Sequence, residues 1–317
     1  FCQILSFLNN TMNIHLHNFT EIKGGLSKKK IFRKFEKNFN KIIIDFSQEK
    51  KEFERFLNVY NILKKINISI PKIYEINFKR NLIIMEDFGD ITFDKIFSEN
   101  EHHNLLKLAV NNLIILHNSI SYEGLSKLEK YNYVYLKKDL SEFIEFYLPY
   151  KNISNFPVNE FYTTWENIYN YQRFEFNSFV HKDYEFINLM YLADNNSHLK
   201  CGIIDFQSAF IGFIGWDLFT ILENSRINFS RKYNESLIKY FYENTSIKMD
   251  FNKFRNQYYL LNLSRQTRLL GRWAKLYSTS RKEYYNYINT TKNRIIACLK
   301  NIQEEKLKKI YNKVLSY

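Results

Sequence analysis

The stretch that decides the fold reads Phe179-Val180-His181-Lys182-Asp183-Tyr184-Glu185-Phe186-Ile187-Asn188-Leu189-Met190, and it continues at Ile203-Ile204-Asp205-Phe206-Gln207. Asn188 follows Asp183 by five residues, and Asp205 follows Asn188 by seventeen. Between them, the apolar runs 189–192 and 201–204 flank the polar Ala193-Asp194-Asn195-Asn196 and read as a hairpin. A loop set between short strands can present its polar side chains on one side. The chain thus offers a carboxylate, a side-chain amide and a second carboxylate, in that order. Hard oxygen donors of this kind suit Mg²⁺. The bland alternative is a pair of turn carboxylates beside an ordinary hairpin, because Asp and Asn are common in loops. The full H-x-D-x-x-x-x-N, followed by an apolar strand that ends in Asp, is much harder to obtain by chance.

Phosphoryl transfer needs this order of groups. One carboxylate accepts or orients the attacking hydroxyl proton, while an amide oxygen and a second carboxylate hold Mg²⁺ against a triphosphate. The flanking sequence fits. Residues 20–46 read as a β-hairpin: Ile31 to Phe35 alternate, and Lys41-Ile42-Ile43-Ile44-Asp45-Phe46 has the pattern of a buried strand. Helical spacing over 48–66 puts Phe53, Phe56, Leu57, Tyr60 and Leu63 on one stripe. Two more strands are expected at 72–76 and 81–85. The joint follows at Met85-Glu86-Asp87-Phe88-Gly89-Asp90. Beyond it, helices are expected over 105–117, 137–148, 158–178, 216–224, 231–244, 251–278 and 281–301, with a strand at 179–180 and a charged terminal stretch. The fold class is α+β: a small antiparallel sheet first, then a larger helical part.

Composition narrows the field. The chain has 317 residues, which at about 100–200 residues per domain suggests two domains or lobes. Hydrophobic residues make up 45% and charged residues 25%, so intrinsic disorder is excluded. No run of apolar residues is long enough to span a membrane. Cys2, Cys201 and Cys298 are too few and too scattered for a disulfide framework or a zinc pattern, which fits a reducing cytoplasm. The net charge is +13, from 34 Lys and 12 Arg against 33 acids. AT-rich codon usage filling a solvated surface with Lys accounts for it. A nucleic-acid site would cluster Arg among aromatics, and no such cluster occurs. The first eleven residues do not resemble a signal peptide, and Met12 is a candidate natural start. No G-x-x-x-x-G-K-[ST] and no G-x-S-x-G is present.

These residues resemble the aminoglycoside phosphotransferase and choline kinase superfamily, with its two-lobed, protein-kinase-like fold. The nearer resemblance is to bacterial kinases that phosphorylate the anomeric hydroxyl of N-acetylmuramate and N-acetylglucosamine in cell-wall sugar recycling. It is carried by Gly25-Leu26-Ser27, Arg33, Asp45, Met85 to Asp90, Leu116-His117, the His181 to Met190 stretch, Asp205-Phe206-Gln207, Asp217-Leu218 and Gln266 to Leu276, and it covers about residues 20–290. The resemblance implies an N-terminal extension over 1–19, a nucleotide-binding lobe over 20–86, and a helical catalytic and acceptor-binding lobe over 87–317. It implies ATP and Mg²⁺ as cofactors. Asp183 is then the base, His181 a brace of its loop, and Asn188 and Asp205 the metal ligands. Met85, Glu86 and Phe88 border the adenine. Asp217 is a buried anchor of the catalytic loop, or else a helix N-cap. Gln207, Arg268 and Arg272 face the acceptor. The expected partner is a small sugar, with neither nucleic acid nor membrane, in the cytoplasm.

The chain departs from the pattern in one telling place. Many kinases carry a strand Lys for the α- and β-phosphates, paired to a helix Glu, whereas here the strand holds Ile42-Ile43-Ile44 with Lys41 at its start. Neutralisation is expected from Lys28, Lys29, Lys30 or Arg33, or from backbone N–H groups at Gly24-Gly25. After Asp205-Phe206-Gln207 the nearer relatives have Asp-Ala, and this chain has Ser208-Ala209. Such changes leave the acceptor open. An aminoglycoside or choline-type amine is the alternative substrate, and a non-catalytic kinase-like binding protein is the alternative class. A site for a cationic acceptor should be acidic, and the helix with Arg265, Arg268, Arg272 and Lys275 suits a carboxylate-bearing sugar better.

Overall fold

A computed structural model describes residues 19–22, 28–37, 39–97, 102–227, 230–279 and 281–315. The chain divides by packing into two units. The described residues within Phe1–Glu99 and Phe186–Ser208 form the first; those within Asn100–Glu185 and Ala209–Tyr317 form the second.

The first unit is built on a five-stranded antiparallel sheet. Its strands are β1 (Phe19–Ile22), β2 (Lys30–Lys34), β3 (Lys41–Asp45), β4 (Ile73–Asn77) and β5 (Leu82–Glu86), in the order β1-β2-β3-β5-β4. The Ile-rich β3 lies between β2 and β5, where a run of β-branched side chains is best accommodated. Phe32, Ile43 and Ile84 stand opposite one another across three strands and are buried, with Phe19 packed against them. Such cross-strand rows stabilise a sheet, and full burial of each side chain contributes about 1.5–3 kcal/mol. Helix α1 (Lys50–Leu63) lays Phe53 and Phe56 on Phe46 as its spacing predicts.

The short hairpin β7 (Leu189–Tyr191) and β8 (Cys201–Ile203) belongs to this unit. It is stitched on both edges: Ile203 N–H donates to the Ser69 carbonyl at 2.8 Å, and Tyr191 N–H to the Ile91 carbonyl at 2.7 Å. Met190 lies opposite Gly202. A Cβ at 202 would come within 2.8 Å of the Phe88 ring, so glycine lets that ring lie on the hairpin backbone. Past Thr92, the single turn of α2 (Phe93–Ile96) seats Phe93 on Phe186 and Tyr191.

The second unit is mainly helical. Its helices are α3 (His102–Ser119), α4 (Tyr133–Glu142), α5 (Leu148–Tyr150), α6 (Val158–Gln172), α7 (Trp216–Leu222), α8 (Arg231–Asn244), α9 (Phe251–Ser278), α10 (Tyr285–Asn301) and α11 (Glu305–Leu315). Strands β6 (Phe176–Val180) and β9 (Phe210–Phe213) pair antiparallel and lead into the two segments that matter most, His181 onward and Asp217. The long α9 is capped by Asp250, whose carboxylate accepts from Lys253 N–H at 3.0 Å. It is buried nearly all round. Between α4 and α5, Phe143–Tyr147 form a π-helical turn, the bulge form often found where a helix must be re-aimed. Gly271 of α9 sits against it: a Cβ there would collide with the Glu142 carbonyl oxygen.

Several elements differ from the sequence reading. Residues 20–46 hold three strands rather than a simple hairpin, because Phe19–Ile22 pairs with β2 as an additional edge. The helix expected over 158–178 stops at Gln172, where Arg173 takes a left-handed conformation with φ 45°. Phe176 then begins β6, so the strand is longer than the expected pair 179–180. Strand β9 and helix α11 were not expected. In α11, the Lys and Glu that mark a charged tail also line the outer face of a helix that buries Leu307, Ile310, Tyr311 and Val314.

Candidate active site

In the second unit, β6 ends at Val180 and the chain turns. His181 N–H donates to Asp217 Oδ2 at 2.6 Å, and Lys182 N–H to Oδ1 at 3.0 Å. Lys182 has φ 81°, a backbone state that a lysine adopts only where its surroundings over-determine it. Asp217 supplies that constraint. It is the second residue of α7, whose cap position is Gly215, so the helix-cap alternative drops out. The residue is 1% exposed. Burial pushes the Asp217 carboxyl up to about 7, the two N–H donors pull it back, and the neighbouring charge of Asp183 pushes it further up.

The residues just after Asp183 are fixed as firmly. Tyr184 is buried and donates its hydroxyl to the Ala109 carbonyl of α3 at 3.1 Å. Glu185 N–H closes a tight turn on the Asp183 carbonyl at 2.8 Å. The Glu185 carboxylate pairs with Arg226 and, at 2.9 Å, with Arg265. Arg226 in turn lies over the rings of Trp273 and Tyr287, 5.3 and 5.8 Å from their centroids. Asp183 is thereby held from both sides by backbone and side-chain bonds. Glu185 and Arg226 carried no sequence signal, and Arg265, expected among the helix cations that suit a carboxylate-bearing sugar, is instead held by Glu185: the partners stand 41 and 80 residues from Glu185 along the chain.

The arginines of α9 are used unequally. Arg272 makes a two-pronged pair with Glu142 at 2.6 and 2.5 Å. Arg265 is 3% exposed, and burial pulls it down to about 10 despite Glu185. Arg268 has its Nε 3.8 Å from Asp139, beyond hydrogen-bond reach. Asp139 accepts from the Tyr131 hydroxyl instead, at 3.1 Å. The charge of Asp183 acts on both Arg265 and Arg268.

In the first unit, Asp205 follows β8 with φ 61°, the left-handed region that Asp tolerates better than most residues. The next residue, Phe206, is buried and stacks on Phe56 of α1 with ring centroids 4.8 Å apart, which fixes the turn. Asp205 Oδ1 meets Lys29 Nζ at 2.5 Å and accepts from Gln207 Nε2 at 3.0 Å. The Asn188 carbonyl accepts from Ile204 N–H at 3.2 Å, so the two expected metal ligands sit on adjoining backbone. Among the described residues, no group of three or more His, Cys, Asp or Glu could hold a metal by itself. An amide and one carboxylate do fit Mg²⁺, which keeps several waters and completes its shell with substrate phosphates rather than with a protein cage.

The remaining expected nucleotide residues also fall in the first unit. Met85 is buried on β5 opposite Ile42. Glu86 N–H donates to the Lys72 carbonyl, and its carboxylate accepts from Lys72 N–H. Phe88 lies on Gly202. Lys28 and Lys30 are exposed, and Lys28 N–H donates to Glu49 at 3.2 Å. Arg33 binds Asp87, Gly89 and Asp90. Lys41, at the start of the Ile-filled strand, pairs with Glu36 at 3.0 Å. Gly24 and Gly25 lie outside the described residues.

The sequence profile of the phosphotransferase enzyme family (APH) matches residues 18–247. An N-acetylmuramate/N-acetylglucosamine kinase of Caulobacter vibrioides is 24% identical over 227 residues, covering 69% of this chain and 62% of that protein. One from Neisseria meningitidis is 21% identical over 77% of this chain and 74% of its own length. The match thus spans less than two thirds of the Caulobacter relative. Among solved structures, a spectinomycin phosphotransferase in complex with ADP and spectinomycin superposes with a TM-score of 0.61 at 14% identity, over 94% of this chain and 98% of that one. A choline kinase from Streptococcus pneumoniae gives 0.62 at 13% identity, over 95% and 97%. These neighbours share the α+β fold, with its N-terminal antiparallel sheet and helical C-terminal part. No helix among the described residues is long and apolar enough to cross a membrane. With the profile matched over most of its length, the chain belongs to the phosphotransferase enzyme family.

Proposed function

We propose that the chain is an ATP-dependent small-molecule kinase that phosphorylates a hydroxyl of an amino sugar of the N-acetylmuramate or N-acetylglucosamine kind, at the anomeric position. The observation that carries this reading is the loop at Asp183. Its backbone is held in a strained state by two bonds to the buried Asp217, and the turn after it is locked through Glu185. A carboxylate fixed in this way is suited to act as a base.

In the proposed reaction Asp183 takes the proton of the acceptor hydroxyl. The acceptor oxygen forms a bond to the γ-phosphorus, the bond from that phosphorus to the β–γ bridging oxygen breaks, and ADP leaves. Bound Mg²⁺ would neutralise charge on the phosphates. Asn188 and Asp205 are its proposed ligands, and Lys29, paired with Asp205, is the proposed cation nearest the phosphates. His181 braces the loop. Gln207, Arg268 and Arg272 are the proposed acceptor-facing residues. Of the two arginines, Arg268 is the better placed, because Arg272 is held by Glu142 at hydrogen-bond distance while Arg268 meets Asp139 only as an ion pair at 3.8 Å. A guanidinium in that state favours an acceptor bearing a carboxylate, as N-acetylmuramate does, over a cationic aminoglycoside or choline.

Two variants test the division of labour in one experiment. Asp183→Asn should bind Mg·ATP like the parent and lose at least ~10²-fold in turnover, the usual scale for removing a positioned base. Asp205→Ala should lose Mg²⁺-dependent ATP binding by calorimetry. Near-parental turnover in the first, or parental Mg·ATP affinity in the second, contradicts the assignment.

A further inference from the structure

Arg33 stands in β2 opposite Ile42, which in turn stands opposite Met85. The row leads from Arg33 across β3 to the residue that opens the turn 86–90. The Arg33 guanidinium spans that turn. Its Nε lies 2.5 Å from Asp87 Oδ2, its Nη2 donates to Asp87 Oδ1 at 3.0 Å and to the Gly89 carbonyl at 3.1 Å, and its Nη1 donates to Asp90 Oδ1 at 2.7 Å. Asp87 Oδ1 also accepts from Gly89 N–H at 2.9 Å, and Gly89 has φ 82°, a conformation that glycine adopts without strain. The Asp87 side chain is 4% exposed. The guanidinium therefore has an ion-pair partner at Nε and hydrogen-bond partners at both Nη atoms, all of them within the turn.

This placement does not suit a phosphate contact. Two carboxylates already flank the single guanidinium, and an incoming phosphate would meet their charge as well as that of Arg33. We propose that Arg33 is a positioning residue: it fixes the turn 86–90 so that the backbone of Glu86 and Phe88 meets the adenine edge, and it does not bind the phosphates. The inference rests on the nucleotide reading given above, and it removes Arg33 from the phosphate-neutralising cations expected from sequence.

Calorimetry with two ligands decides it: adenosine, which has no phosphate, and Mg·ATP. Arg33→Lys keeps the charge but not the fork, and Arg33→Met keeps neither. A positioning role predicts that both variants lose about 10-fold in affinity for each ligand, by the same factor, with binding stoichiometry near the parent's. Loss confined to Mg·ATP, or unchanged affinity for both ligands, overturns the proposal. A parent that binds neither ligand removes the nucleotide reading and this inference together. If the Arg33 variants do not fold, Asp87→Ala with Asp90→Ala leaves the guanidinium in place and removes both carboxylates that hold it, with only the Gly89 carbonyl remaining as acceptor. Positioning then predicts the same loss for both ligands, and unchanged or tighter Mg·ATP binding overturns it.

Discussion

At the residue scale, Asp217 carries the most consequence for its size. The motif search found it only as one of two readings, anchor or helix cap. The choice depended on where α7 starts, a boundary that propensity does not resolve to a single residue. Its burial has a pH signature. In the folded chain the carboxyl keeps its proton up to about 7, whereas when unfolded it ionises near its ordinary 3.8. Across that window the folded state binds more protons, so this contribution to stability falls as pH rises. His117, buried and pushed down to about 3, acts the other way: it costs stability as pH falls from 6.5. Asp217→Asn removes the first effect and leaves the second. Denaturant midpoints for parent and variant between pH 4 and 7, the range set by those values, should therefore show the parent losing ground to the variant as pH rises. A difference that does not change with pH contradicts this account. The Lys29–Asp205 pair was half legible: Lys29 was one of four basic candidates, and only the tertiary fold could choose among them.

At the element scale, periodicity recovered the long and strongly patterned pieces, such as α1, α8, α9 and the hairpin β7–β8. It failed where two patterns overlap. Phe174 and Phe176 fit both a helix stripe and a strand, and the left-handed Arg173 that ends the helix just before them has no propensity signal. The π turn at Phe143–Tyr147 was likewise invisible, since its side chains continue the helical spacing. Its neighbour Gly271 gives a prediction. A methyl at that position would press on the Glu142 carbonyl and the Phe143 amide, both backbone atoms. Elsewhere in a helix, Gly→Ala stabilises by roughly 0.5–1 kcal/mol. Here Gly271→Ala should instead destabilise, on the order of 1–3 kcal/mol as overpacking does. Equilibrium unfolding checks the sign, and a more stable variant would show that α9 can move away from α4 without cost.

At the scale of the whole molecule, the order of β-rich and helical segments was legible because each unit draws its core from nearby sequence. The insertion of Phe186–Ser208 into the strand-bearing unit was not, since it follows from packing of Phe206, Phe186 and Tyr191 against residues over a hundred positions away or nearly so. Net charge taught little: among the described residues, Lys29, Arg33, Arg265 and Arg272, all basic residues singled out from the sequence, are already paired with carboxylates. The central claim is the transfer of a phosphoryl group from ATP to an amino sugar. The most direct measurement is a phosphorylation screen with ATP and Mg²⁺ against N-acetylmuramate, N-acetylglucosamine, choline and an aminoglycoside, with product mass and position of the phosphate as readouts. The account predicts a 1-phosphate on one or both amino sugars, abolished in Asp183→Asn. Phosphorylation of choline or the aminoglycoside alone, or of none of the four while Mg·ATP binds, would contradict it.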